Sequence, residues 1–141
     1  MTEYTSHSEE HTFQIAQDLG RSLKGDEIIC LSGELGAGKT VFAKGAASGL
    51  GLEDTEQVCS PSFTIMNVYQ ARVPVFHLDF YRLSSRDEIE DLGWEDFIGD
   101  GVIIVEWAEK YDFPDDAVNV RISVQEDESR RIVIRNSKSL D

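Results

Sequence analysis

The chain reads as a three-layer α/β domain with a mainly parallel central sheet extended by antiparallel strands, and three stretches carry that expectation. Gly33-Glu34-Leu35-Gly36-Ala37-Gly38-Lys39-Thr40 has the spacing G-x-x-x-x-G-K-[ST]. It lies between a strand-like run, Asp26 to Ser32, and a helix-compatible run, Val41 to Leu50. Gly101 to Trp107 contains the continuous run Val102-Ile103-Ile104-Val105, which marks a strand covered on both faces, as in a parallel sheet. Asn119 to Val124 and Arg131 to Arg135 are strand-like and are separated by the polar stretch Gln125 to Arg130, the pattern of an antiparallel pair finishing a sheet.

The remaining elements follow in order. Met1 to Ser8 is assigned no element and lacks the basic and apolar regions of a signal peptide. From Ser8 to Leu23, Phe13 and Ala16 stand three apart, and Ile15, Leu19 and Leu23 four apart, with Gln14, Gln17 and Asp18 filling the gaps. That is the spacing of an amphipathic helix, with Ser8 as its N-cap and Glu9 and Glu10 in its first turn. Lys24-Gly25-Asp26 closes this helix, and Gly49-Leu50-Gly51 closes the next. Val58 to Thr64 reads as a loop, Ile65 to Tyr69 as a short strand, and Val73 to Tyr81 as a strand with Pro74 near its start. Ser84 to Leu92 sets Asp87, Glu88, Glu90 and Asp91 around Ile89 and Leu92, a short helix with an acidic face. Asn136 to Asp141 is expected to fray.

The 141 residues fit one domain, 1–141, large enough to bury a core without staples. A net charge of −14 argues against gripping a nucleic-acid backbone unaided, because that needs a basic surface; it permits docking on a basic protein face. Cys30 and Cys59 have neither C-x-x-C nor zinc spacing, and Cys30 is expected in the core. No apolar run approaches 18 residues, so no membrane span is expected, and a reducing cytoplasm suits the cysteines.

The chemistry centres on the glycine loop. Its glycines let successive backbone N–H groups converge on one point, and the following helix adds about half a positive charge there. Residues Glu34, Leu35, Gly36, Ala37, Gly38, Lys39, Thr40 and Val41 are therefore the expected cradle for ATP phosphates, with Lys39 on the outer phosphates and the Thr40 hydroxyl as a ligand for Mg²⁺. A second Mg²⁺ anchor is expected at the C-terminal end of a neighbouring strand, where ligands of such sheets bind. Asp79, after Val75, Phe76 and Leu78, fits that place; the alternative is an ordinary strand-end Asp capping a turn. Glu106, at the end of the 102–105 run, could hold the metal or orient water, or be a plain exposed acid. Trp107 could pack in the core or screen the phosphates from water. Ser60, Ser62 and Thr64 could sense a γ-phosphate, or belong to a plain turn. His77 reads as a half-buried sheet residue. Glu109-Lys110-Tyr111-Asp112 has K-x-D without the leading Asn of guanine-specific sites, which favours adenine.

These residues occur in the order Gly33 to Thr40, Ser60-Pro61-Ser62-Phe63-Thr64, His77-Leu78-Asp79-Phe80-Tyr81-Arg82-Leu83 and Val105-Glu106-Trp107. Together they closely resemble the TsaE (YjeE) family of small bacterial P-loop ATPases, from about Thr12 to about Arg131. The resemblance implies a P-loop NTPase-like fold and a role in forming threonylcarbamoyladenosine next to the anticodon of tRNA. The transfer itself would fall to a partner, TsaD, in complex with TsaB, which this chain would bind and reset by hydrolysing ATP; tRNA would be met only through that complex. It further implies Thr40 and Glu106 near Mg²⁺, Asp79 as the strand-end acid, Trp107 near the nucleotide, and Thr12 and an arginine at about Arg131 near the base. The chain departs from the family pattern at Glu34, Val41 and Ser62, where Asp, Thr and Thr are common. With Lys39, Asp79 and Glu106 as the catalytic set and no clear arginine finger beyond Arg82, hydrolysis is expected to be slow alone and faster in complex. The rival readings are a small-molecule kinase and a nucleotide-gated binding module with incidental hydrolysis.

Overall fold

The computed structural model describes residues 1–34, 36–61 and 66–136. The strands are β1 (Thr2–Ser6), β2 (Ile28–Ser32), β3 (Met66–Gln70), β4 (Pro74–Asp79), β5 (Val102–Glu106), β6 (Val118–Val124) and β7 (Arg130–Asn136). The helices are α1 (Glu9–Ser22), α2 (Lys39–Gly49) and α3 (Arg86–Asp91), with short 3₁₀ turns at Thr55–Gln57, Trp94–Phe97 and Ala108–Lys110. Among the described residues the strands form one sheet in the order β1-β7-β6-β2-β5-β4-β3. The four central strands β6, β2, β5 and β4 are parallel; β3 closes one edge and β7 with β1 the other, all antiparallel.

Local chemistry explains most boundaries. The Ser8 side chain caps α1 by accepting from the His11 amide at 3.0 Å. Ser85 caps α3 in the same way, through the Glu88 amide. Pro74 is the first residue of β4, where its missing N–H costs least. The β5 run is buried at every position: β2 and β4 flank it in the sheet, both parallel, and a core covers each of its faces. Val102 and Ile104 face the core beneath α1 and α2 with Ile29 and Leu31. Ile103 and Val105 face the opposite core with Ile28, Cys30, Phe76 and Trp94. Each such side chain withdrawn from water contributes about 1.5–3 kcal/mol.

The structure departs from the sequence reading at both ends. Thr2–Ser6 is a strand, β1, held against β7 with Thr5 opposite Arg131. Its residues are exposed except Ser6, so it lacks the apolar alternation by which a strand is recognised. At the other end, β7 continues through Asn136, whose backbone pairs with Val118; residues 137–141 of the expected frayed tail lie outside the described residues, as does Ile65. The third layer is thin. α3 and the 94–97 and 108–110 turns cover β2, β5 and β4, whereas Arg121, Arg131 and Arg135 stand exposed on that side of β6 and β7.

α1 and α2 meet backbone to backbone. A Cβ on Gly45 would lie 2.3 Å from the Phe13 carbonyl oxygen and 2.7 Å from the Ala16 Cβ. Only glycine fits this approach. Gly45→Ala is expected to lower stability by about 1–3 kcal/mol through overpacking. Urea unfolding measures this, and an unchanged midpoint would show that the two helices can separate without cost.

Candidate functional site

The parallel register delivers the site. Leu31 pairs with Glu106, and Asp79 pairs with Glu106 from the other side, so the C-terminal ends of β2, β4 and β5 form one rim. The chain leaves β2 through the glycine loop and enters α2 at Gly38, whose φ of 112° is left-handed and forbids a larger residue without strain. Gly38 caps α2 with no side chain, so the first-turn amides and the positive helix end face the rim.

Lys39 opens α2 and is only 5% exposed. Its ammonium donates to the carbonyls of Gly33 at 2.7 Å and Glu34 at 2.9 Å, and lies 4.0 Å from the centre of the Trp107 ring. Burial pushes the Lys39 pKa down, while the charges of Glu109, Glu106, Asp79 and Glu34 pull it back up without fully restoring it.

Glu106 is 3% exposed and receives several donors. Its Oε2 meets His77 Nε2 at 2.6 Å and accepts from Ser60 at 2.9 Å; Thr40 donates to Oε1 at 3.1 Å. Thr40 and Ser60 also touch each other, oxygen to oxygen, at 2.7 Å. Burial pushes this carboxyl up, but the bonds from His77, Ser60 and Thr40 outweigh it, and the group rests below its ordinary value. Asp79 goes the other way. Burial and the neighbouring Glu106 charge raise it above its ordinary value, against the Tyr81 amide that donates to its Oδ1 at 2.9 Å.

Two cavities flank the loop. One, of about 360 Å³, is bounded by Lys39, Thr40, Ser60, Asp79, Glu106 and Trp107, with Gly36, Gly38 and Val41 on its loop side. The other, of about 240 Å³, shares Gly36, Gly38 and Val41 and extends past Ala37 to Thr12, Ser8 and Arg130. Thr12 is buried, with its hydroxyl 2.7 Å from that of Ser6. The residues proposed from sequence thus fall into one cavity or the other, with three exceptions. Leu35 lies outside the described residues, as do Ser62, Phe63 and Thr64 of the proposed sensing loop. Glu34 is exposed and contributes its carbonyl to Lys39.

Arg131 is the third exception. It is exposed and bound to Glu3 at 2.6 Å, away from both cavities. Strand alternation is the reason: Ile132 packs under α1 and α2, so Arg130 shares that face and Arg131 points the other way. Arg130 Nε donates to the Ala37 carbonyl at 3.1 Å, tying β7 to the loop. That alternation is legible in Ile132 and Ile134. His77 is a further correction: it is fully buried, not half-buried, and contacts Glu106 directly.

The donors suit a hard divalent cation. Thr40, Ser60, Glu106 and Asp79 present only oxygen, the ligand type Mg²⁺ prefers. Among the described residues no group of three or more His, Cys, Asp or Glu side chains converges to hold a metal alone. Trp107 adds strain: its φ of 58° is left-handed, rare for a bulky residue, and its ring packs on Tyr81 with centroids 4.9 Å apart.

Comparison with known proteins came down on one family. Residues 6–132 match the family model described as threonylcarbamoyl adenosine biosynthesis protein TsaE. Relatives named tRNA threonylcarbamoyladenosine biosynthesis protein TsaE include that of Aquifex aeolicus, 37% identical over 95% of this chain and 96% of its own. That of Bacillus subtilis is 41% identical over 87% and 78% respectively. The crystal structure of YdiB from Bacillus subtilis superposes with a TM-score of 0.74 at 31% identity, covering 96% of this chain and 85% of that one.

The opposed shifts of the two carboxyls have a signed consequence. The lowered Glu106 stabilises the fold above the ordinary carboxylate range, and that contribution is lost as pH falls through its folded value. The raised Asp79 does the reverse: its ionisation costs stability as pH rises from about 4. Asp79→Asn is therefore expected to be more stable than the parent at neutral pH, with the gain shrinking toward pH about 4. Denaturant titrations across that range decide it, and a variant weaker at neutral pH would contradict the cost that burial and the Glu106 charge place on ionising Asp79.

Proposed function

Since this chain belongs to the TsaE family of threonylcarbamoyladenosine biosynthesis proteins, we propose that it is a Mg²⁺-dependent ATPase serving that tRNA modification in concert with TsaD- and TsaB-type proteins. The observation that carries the ATPase reading is the rim itself. Lys39, Thr40, Asp79 and Glu106 are gathered at the N-terminus of α2 by three parallel strands, the arrangement phosphoryl transfer needs.

The chain's own residues supply binding, orientation and shielding. The loop amides and the α2 N-terminus would receive the phosphates. Lys39, which now donates to the Gly33 and Glu34 carbonyls, would turn its ammonium to phosphate oxygens. Thr40 and Glu106 are the residues that would hold Mg²⁺, which supplies neutralisation of charge on the phosphate oxygens. Asp79, engaged at Oδ1 by the Tyr81 amide, would orient the attacking water. Trp107 and Tyr81 would keep bulk water from the reacting end. Thr12 and Arg130, at the far side of the loop, would border the adenosine.

Two features support work in a complex. Among the described residues no arginine lines the Lys39 cavity, so charge stabilisation of the kind an arginine finger gives would come from outside. Ser60 touches both Thr40 and Glu106, so loss of a γ-phosphate would be felt by the loop that carries it. The net charge of −14 suits docking on a basic protein face.

Lys39→Ala is expected to slow phosphate release by about 10²–10³-fold, the usual loss when a preorganised charge donor is removed. The same variant should fail to support threonylcarbamoyladenosine formation in a reconstituted mixture of TsaD, TsaB and tRNA that responds to the parent chain. Modification that proceeds equally with the variant would refute the ATPase role.

A further inference from the structure

A buried side-chain relay runs from the Glu106 carboxylate to the backbone of the loop that carries Ser60. His77 and Tyr69 form it, on neighbouring antiparallel strands β4 and β3. His77 is 0% and Tyr69 4% exposed. The Tyr69 hydroxyl lies 2.9 Å from His77 Nδ1 and bonds both backbone groups of Cys59, accepting from its N–H at 3.3 Å and lying 3.1 Å from its carbonyl oxygen. His77 Nε2 then meets Glu106 Oε2 at 2.6 Å. With Glu106 ionised, that contact puts the imidazole proton on Nε2. Tyr69 has one proton for His77 Nδ1 or the Cys59 carbonyl, and Asn67 Nδ2, 3.2 Å from the same carbonyl, can serve the latter.

The two Glu106 oxygens are not equivalent. Oε2 is occupied by His77 at 2.6 Å and Ser60 at 2.9 Å, with the Thr40 hydroxyl a longer 3.3 Å away, whereas Oε1 meets only Thr40, at 3.1 Å, among the described residues. Two short bonds to Oε2 from different elements restrict rotation of the carboxylate and so direct Oε1. We propose that His77 is a positioning residue that fixes Glu106 so that Oε1 is presented on the Thr40 side for Mg²⁺, and that Tyr69 extends this restraint to the Cys59–Ser60 backbone. An imidazole donating to a ligating carboxylate is the kind of outer-shell support whose loss weakens metal binding by about 10–100-fold. The role rests on the Mg²⁺-ATP reading above, and the relay makes loop 59–60 and the metal carboxylate one mechanical unit.

The test separates metal binding from nucleotide binding. ATP is titrated calorimetrically into the full chain with EDTA, and then at graded Mg²⁺ to find the half-saturating metal concentration. His77→Asn, whose amide reaches toward Tyr69 and stops short of Glu106, is expected to raise that concentration at least about 10-fold while changing metal-free ATP affinity less than about 2-fold. His77→Gln, whose longer amide can donate to Glu106, is expected to recover most of the loss. Tyr69→Phe keeps the His77–Glu106 contact and is expected to speed amide hydrogen exchange at Cys59 and Ser60 in the nucleotide-free chain. Equal half-saturation in His77→Asn and the parent overturns the positioning role. Unchanged exchange in Tyr69→Phe overturns the link to the loop. A parent chain showing no Mg²⁺-dependent gain in ATP binding overturns the underlying reading instead, and the positioning role with it.

Discussion

A carboxylate taken out of water at the end of a sheet must be matched donor by donor, and Glu106 sets the terms for everything around it. An unpaired buried charge costs several kcal/mol, so the chain has to bring His77, Ser60 and Thr40 to the same few cubic ångströms. These come from β4, from the loop after residue 58 and from the first turn of α2. None is near Glu106 in sequence. Their convergence depends on the parallel register that sets Leu31 and Asp79 on either side of Glu106, and the register depends on the apolar runs of β2, β4 and β5 being buried on both faces.

The rim holds its polar groups in place at some expense to the protein's stability. Lys39 is buried with its charge held by two carbonyls and a ring face, a set of partners weaker than a carboxylate pair. Asp79 ionises against its burial and the Glu106 charge. Trp107 holds a backbone conformation that bulky residues avoid. Such costs are characteristic of sites in which polar groups are preset for a partner of opposite charge. A polyanion with a divalent cation would answer each in turn, giving Lys39 its counter-charge and the two acids theirs.

The rest of the molecule supplies rigidity behind that rim. α1 and α2 approach closely at Gly20, Gly45 and Gly49, where a side chain would meet the other helix's backbone, and this fixes the position of α2, whose N-terminus faces the rim. Arg130 donates to the loop carbonyl of Ala37 from β7, two strands away from β2 in the sheet, and so ties that strand to the glycine loop. Because β1 is paired to β7, the N-terminal segment and Thr12 belong to the same frame, and the second cavity is assembled from both ends of the chain.

The sequence by itself determined what depends on local spacing. The glycine loop with Lys39 and Thr40, the cap at Ser8, the apolar run 102–105 of β5 and the strand-end acids Asp79 and Glu106 are written in neighbouring residues, because helix caps, turns and burial periods are short-range properties. The tertiary structure alone decided which distant groups meet. β1 carries no apolar alternation, since its pairing with β7 rests on backbone bonds to which side-chain pattern is blind. His77 is one polar residue in an apolar strand, and only the neighbouring strands supply Tyr69 on one side of its ring and Glu106 on the other. Arg130 and Arg131 are identical in kind and adjacent, and the pleat of β7 alone sends one to the loop and the other to Glu3.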